Sequence, residues 1–216
     1  MGDYAAVGFD LDGTLFDHRG AATDAVAALT RQLGAAPEPN AIELWIDIED
    51  RFYEEWRAGR LSFAEQRQAR MRTFLPAIGV SVPPATRDLD GIFDQYFADY
   101  ESGWRAFPDA VELIKKLRDG GVAVGVLTNG TREQQLKKLA AIGLADAFHV
   151  VCISEDIGFQ KPDVRAFETL AFRNPTCERL KPSLAASVGP QVKLCSSAIT
   201  PATILLAHEP RECGRA

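Results

Sequence analysis

The chain has 216 residues, 46% of them hydrophobic, and carries a formal net charge of −6 with an isoelectric point near 5.2. This length and apolar content suit one α/β domain with a smaller insert and argue against a second full-sized domain. The acidic balance argues against nucleic acid or an anionic membrane as the main partner.

Membrane insertion and export are also disfavoured by the sequence. No run of 18 apolar residues occurs, and the N-terminal stretch MGDYAAVGFD lacks the basic and apolar regions of a signal peptide. The four cysteines form no CxxC pair and are too sparse for a disulfide framework. We therefore expect an unexported, cytoplasmic protein with reduced thiols and no membrane partner.

The first predicted element is a strand over residues 5–9, whose small and apolar residues suit burial on both faces. Asp10 and Asp12 follow the strand, and Gly13 begins a turn. Residues two apart in an extended chain point to the same side, so both carboxylates can face one site at the carboxyl edge of the sheet. Two carboxylates this close imply either a cation such as Mg²⁺ or a shared proton.

Residues 18–105 are predicted to be helical. Apolar residues at helical spacing predict helices over 21–34, 41–58, 62–74 and 86–101, the third of which opens with an S-x-x-E capping box. An aromatic stripe is expected to form the core of this block and consists of Trp45, Phe52, Tyr53 and Trp56. A basic cluster is expected to be solvated and consists of Arg67, Arg70 and Arg72.

From residue 107 the pattern alternates between helix and strand. Buried strands are predicted over 122–127 and 148–153, with helices over 109–119 and 131–141. Thr128 and Asn129 follow the first of these strands, where the start of the next helix favours an anion. Such residues also form ordinary turns, and a lysine such as Lys161 is commonly a surface residue. The place of Thr128 and Asn129 after a buried strand favours a functional interpretation, and for Lys161 its spacing from the other motifs does so.

The strings FDLDGTLFD, VLTNG and KPD, in this order, resemble the first three motifs of the haloacid dehalogenase-like (HAD) hydrolase superfamily. The resemblance implies an α/β fold with a Rossmann-like parallel sheet and helices on both faces. Residues 1–17 and 106–172 would form this core, and residues 18–105 would be an all-helical cap inserted after the first strand.

The same resemblance implies roles for five residues. Asp10 would be the nucleophile that forms an aspartyl-phosphate, and Asp12 would protonate the leaving alcohol and then activate water. Thr128 and Asn129 would bind the substrate phosphate, and Lys161 would hold both Asp10 and the phosphate by charge. The Asp10 side chain and the Asp12 backbone carbonyl would bind Mg²⁺.

Residues 173–216 depart from the family's pattern. The fourth motif of the family places one or two acids after a strand, where they complete the Mg²⁺ shell. No aspartate occurs after Asp163, and Pro190 stands where the metal-binding aspartate is expected. The segment is net basic, with six basic and three acidic residues. We expect an atypical C-terminal segment that either completes the core or is poorly ordered.

The function predicted from these motifs is Mg²⁺-dependent hydrolysis of a small phosphometabolite, of the nucleotide or sugar phosphate class. Two enzymatic alternatives are a phosphomutase and a haloacid dehalogenase, although dehalogenases typically lack an aspartate at the position of Asp12. A third alternative is a catalytically impaired, phosphate-binding protein, because the fourth motif is absent. The oligomeric state cannot be inferred from the sequence.

Overall fold

The computed structural model describes residues 4–173 and 205–208. The chain divides into a helical unit, His18–Trp104, and an α/β unit formed by the described parts of Met1–Asp17 and Arg105–Ala216. The expected position of the fourth motif lies outside the described residues. Across residues 4–173 and 205–208, no helix is both long enough and apolar enough to cross a bilayer.

The structure contains the following elements in chain order. They are β1 (Tyr4–Phe9), α1 (His18–Gln32), α2 (Pro39–Arg57), α3 (Phe63–Ala77), α4 (Thr86–Ser102), α5 (Ala110–Asp119), β2 (Ala123–Thr128), α6 (Arg132–Ala141), β3 (Val150–Ile153), α7 (Ser154–Ile157), α8 (Val164–Arg173) and β4 (Leu205–His208).

The sheet of the α/β unit has the strand order β3-β2-β1-β4. Strands β1, β2 and β3 are parallel, and β4 pairs antiparallel with β1. The predicted α/β fold with a parallel sheet is confirmed, with β4 as the strand of opposite direction. The register pairs Phe9 with Val126 and Thr128 with Ile153, so the carboxyl ends of the three parallel strands lie side by side.

Helix α8 packs closely against the sheet. Leu170 of α8 forms a core cluster with Leu127, Val150 and Cys152 of the neighbouring strands. At Gly125 of β2, an added Cβ would lie 2.9 Å from Cδ1 of Leu170, which is closer than ordinary van der Waals contact. Glycine at this position therefore allows the helix to approach the strand.

The helical unit has an aromatic core centred on Trp45. The Trp45 ring is fully buried and lies 5.1 Å from the ring of Phe74 and 4.5 Å from that of Tyr96, measured between centroids. Such tilted pairs stabilise a core beyond their buried area. The predicted core role is confirmed for Trp45, whereas Phe52, Tyr53 and Trp56 are only half-buried.

Arg70 contradicts the prediction that the basic cluster of Arg67, Arg70 and Arg72 is solvated. It is 5% exposed, and its Nη1 donates to Oε1 of Glu49 at 2.8 Å. Oε2 of Glu49 lies 3.3 Å from Nε2 of His18, whose Nδ1 is 2.8 Å from the Tyr100 hydroxyl. Sequence periodicity could not identify the ion pair between Arg70 and Glu49, because the two residues lie on different helices. The prediction holds for Arg72, which is exposed.

The ion pairs that Glu49 forms with His18 and Arg70 should make the stability of the helical unit depend on pH. Burial raises the pKa of Glu49, but His18 and Arg70 outweigh it and lower the pKa from 4.5 to about 2. The resulting stability is present above pH 4.5 and is lost as the pH falls toward 2. A pKa shift of this size contributes about 3 kcal/mol to the free energy of unfolding.

We therefore expect Glu49→Gln to lower the free energy of unfolding by about 3 kcal/mol at pH 6 and by much less at pH 3. Urea titrations followed by tryptophan fluorescence would measure this difference, because Trp45, Trp56 and Trp104 all lie in the helical unit. The exposed Glu54→Gln is the matched control. An equal loss in the free energy of unfolding at pH 6 and pH 3 would contradict the assigned ion pairs of Glu49.

Candidate active site

The turn after β1 presents two carboxylates at the carboxyl edge of the sheet. The N–H groups of Leu15 and Phe16 both donate to the carbonyl of Leu11 at 3.0 Å, and the Gly13 N–H donates to the carbonyl of Phe16 at 2.9 Å. Gly13 has a φ of +77°, which disfavours any residue with a Cβ. This compact turn fixes the backbone on which Asp10 and Asp12 stand.

Asp10 is a largely buried carboxylate in contact with a lysine. Its Oδ1 accepts the Leu11 N–H at 2.6 Å and forms an ion pair with Nζ of Lys161. Burial raises the pKa of Asp10, Lys161 lowers it, and Asp12 raises it again, with a net upward shift. A pocket beside the pair has apolar walls that include Leu127 and Phe167. The carboxylate is therefore poorly hydrated and charge-compensated by one lysine.

The side-chain amide of Asn129 forms two hydrogen bonds with the backbone of Lys161. Its Nδ2 donates to the Lys161 carbonyl at 3.1 Å, and its Oδ1 accepts the Lys161 N–H at 2.8 Å. The next residue along, Gly130, donates its N–H to Oγ of Ser154 at 2.9 Å. These bonds join the loops that follow β2 and β3, and they fix the lysine beside Asp10.

Thr128 is buried at the end of β2, and its hydroxyl donates to Oε1 of Gln135 at 2.9 Å. Gln135 lies on α6, and an added Cβ at Gly130 would come within 2.5 Å of its Nε2. Gly130 also has a φ of +138°, so glycine is required there for two reasons. The Gln135 amide thus packs tightly between Thr128 and the loop.

Asp12 contacts a second lysine, which the sequence analysis did not single out. Nζ of Lys138 on α6 lies 2.5 Å from Oδ1 of Asp12. Sequence reasoning missed Lys138 and Gln135 because polar residues on an amphipathic helix are normally solvated. Their i, i+3 spacing, which places them on one helix face beside the buried Leu139, is the available signal.

The oxygen donors at this edge are compatible with a magnesium ion. Mg²⁺ prefers oxygen ligands and commonly keeps several waters alongside one or two carboxylates and substrate phosphates. The Asp10 carboxylate and the Asp12 backbone carbonyl are donors of this type. Among the residues that the structure describes, no cluster of three His, Cys, Asp or Glu side chains could enclose a metal. The described donors therefore fit Mg²⁺ as a partial shell.

The sequence of the chain is similar to those of known phosphatases. It is 31% identical over 166 residues to the ribulose-1,5-bisphosphate 5-phosphatase of Halopiger xanaduensis, covering 73% of this chain and 66% of that one. It is 31% identical over 167 residues to the phosphoglycolate phosphatase of Escherichia coli O157:H7, covering 74% and 65% respectively. The chain thus spans about two thirds of the length of these curated relatives.

The glyceraldehyde 3-phosphate phosphatase of Methanopyrus kandleri is 27% identical over 193 residues, which cover 85% of this chain and 74% of that one. Among solved structures, the HAD-hydrolase YfnB from Bacillus subtilis, crystallised with magnesium, superposes with a TM-score of 0.62 at 25% identity. That match covers 78% of this chain and 71% of YfnB.

A family model described as haloacid dehalogenase-like hydrolase matches residues 4–173, a range that includes Asp10, Thr128 and Lys161. The resemblance seen in the sequence motifs is confirmed by this match. The chain belongs to the haloacid dehalogenase-like hydrolase family.

Proposed function

We propose that this protein hydrolyses a phosphomonoester of a small metabolite through an aspartyl-phosphate on Asp10. The observation that carries the proposal is the Asp10 carboxylate, whose side chain is 19% exposed, paired with Lys161 at the sheet edge where ligands bind in such folds. The named phosphatase activities of the relatives support a sugar phosphate or a phosphoglycolate-like substrate.

In the first step, an oxygen of Asp10 attacks phosphorus, and the bond from phosphorus to the ester oxygen breaks. Lys161 offsets the charge of both the nucleophile and the phosphoryl oxygens, which would otherwise repel each other. Asp12, starting this step as a carboxylic acid, gives its proton to the departing alkoxide and becomes a carboxylate. The products of this step are the free alcohol and a phosphorylated Asp10.

In the second step, water attacks the phosphorus of the aspartyl-phosphate. Asp12, now ionised, accepts a proton from this water, and the bond between phosphorus and Asp10 breaks. Inorganic phosphate leaves, and both carboxylates return to their starting states. Dividing the displacement into two steps allows one acid–base group to serve both.

Mg²⁺, held by the Asp10 side chain and the Asp12 carbonyl, would neutralise charge on the phosphoryl group. Thr128 would donate to a phosphate oxygen once its hydroxyl turns from Gln135, to which it donates in this structure. Asn129 would act through the Lys161 backbone that it contacts. We further propose that the helical unit acts as the cap that selects the substrate.

The test is hydrolysis by the purified chain of p-nitrophenyl phosphate, 2-phosphoglycolate, ribulose 1,5-bisphosphate and glyceraldehyde 3-phosphate. We expect turnover with Mg²⁺, loss of turnover with EDTA, and recovery when Mg²⁺ is added back. A folded sample that hydrolyses none of these esters would contradict the proposal. Calorimetric titration of such a sample with inorganic phosphate would then test for a phosphate-binding protein without turnover.

A further inference from the structure

Lys138 is a buried lysine whose ammonium group reaches the candidate active site from α6. Its side chain is 5% exposed, and its Nζ lies 2.5 Å from Oδ1 of Asp12 and 4.8 Å from the centroid of the buried Phe16 ring. The adjacent Lys137 is 57% exposed and pairs with Glu133 one turn earlier. Two neighbouring lysines thus have opposite surroundings, and Lys138 is the one at the site.

An ion pair that serves stability alone is the competing explanation. Burying a lysine is costly, and apolar residues of similar volume at such positions commonly give equal or greater stability. Lys138, however, pairs with the carboxylate that the proposed mechanism uses as acid and base. A charge buried at a cost against a reacting group is typical of functional sites.

We propose that Lys138 is a positioning residue that holds the Asp12 carboxylate against the oxygen of the leaving group, an inference that rests on the proposed function. Lys138 engages Oδ1, so that Oδ2 is the oxygen that gives a proton to the departing alkoxide. Gln135, three residues earlier on α6, bonds to Thr128. One face of α6 therefore contacts both Asp12, which follows β1, and Thr128, the last residue of β2.

The positioning role can be separated from a structural role by varying the leaving group. Phenolate is more basic than p-nitrophenolate, so its departure depends more strongly on a correctly placed acid. Phenyl phosphate and p-nitrophenyl phosphate carry the same phosphoryl group. Their values of kcat/KM report the transfer to Asp10, which is the step in which the ester bond breaks.

The experiment compares Lys138→Met with the parent enzyme on both esters in the presence of Mg²⁺. We expect kcat/KM to fall by about 100-fold for phenyl phosphate and by less than about 10-fold for p-nitrophenyl phosphate. Lys138→Arg keeps the charge and should recover most of the loss. In an Asp12→Asn background, K138M should leave the ratio between the two esters unchanged. The exposed Lys137→Met is the matched control and should resemble the parent.

Equal losses on the two esters would mean that Lys138 supports only the fold, and parent-like values for K138M would mean that it has no role; either result overturns the inference. If K138M does not fold, Lys138→Gln, which can still donate to Asp12, replaces it and should show a smaller loss with the same preference between esters. If the parent enzyme hydrolyses neither these two esters nor the metabolite esters of the first test, the proposed function fails and this inference fails with it.

Discussion

Asp10→Asn should lower kcat for p-nitrophenyl phosphate by at least about 10⁴-fold, because the amide cannot act as the nucleophile and no other carboxylate takes its position. Rapid-quench assays with phosphate-labelled ester should find an acid-stable phosphoryl group on the parent protein and none on the variant. The exposed Asp146→Asn, in the loop before β3, is the matched control and should retain activity. Labelling of D10N at the parent level would contradict the assignment of Asp10.

The same substitution should not harm the fold. Burial raises the pKa of Asp10, so the ionised carboxylate in the metal-free protein costs stability at neutral pH. An uncharged amide of similar shape removes that cost. We expect the melting temperature of D10N in EDTA to equal or exceed that of the parent, as is common when catalytic groups are replaced. A large fall in melting temperature would indicate that Asp10 serves the fold.

Lys161→Met has the second largest expected effect, a fall in kcat/KM of about 10²–10³-fold. The ammonium contacts Asp10 directly, and without it the nucleophile and the phosphate dianion repel each other. Lys161→Arg should recover little, because its planar fork does not fit the position of a compact ammonium. Steady-state kinetics on p-nitrophenyl phosphate would measure both variants.

Lys116→Met is the matched control for Lys161, since Lys116 is exposed on α5 and pairs only locally with Glu112. It should retain the activity and stability of the parent. If K161M kept more than about a third of the parent kcat/KM, the charge-offsetting role of Lys161 would be wrong, since removing such a group ordinarily costs far more.

The parallel part of the fold could be predicted because strand burial and turn residues are local signals. The unbroken apolar runs before Asp10 and Thr128 indicated buried strands, and the helical rhythm of residues 18–105 indicated helices. The direction of β4 could not be predicted in this way, because it depends on pairing with β1 about 200 residues earlier in the chain.

The sequence predicted only those residues of the candidate site that belong to recognisable motifs in the loops. Asp10 follows the end of β1 and Lys161 stands in a Lys-Pro motif between α7 and α8, but Lys138 stands in the middle of a helix beside an identical residue. The choice between Lys137 and Lys138 depends on which helix face meets the sheet edge, and that is a tertiary property. Arg70 differs from its predicted surface position for the same reason, since its partner Glu49 lies on another helix.

The insertion of the helical unit between β1 and β2 has a consequence for the order of folding. Pairing Ala6 with Ala123 closes a loop of more than 110 residues, which is slow to form from an unstructured chain. The helical unit contains its own buried aromatic core. It is one continuous segment, so its contacts join residues closer in sequence than the pairing of β1 with β2 does. Its early collapse would shorten the effective loop and bring the ends of β1 and β2 together. A nascent chain would then assemble its helical unit before β1 and β2 are paired.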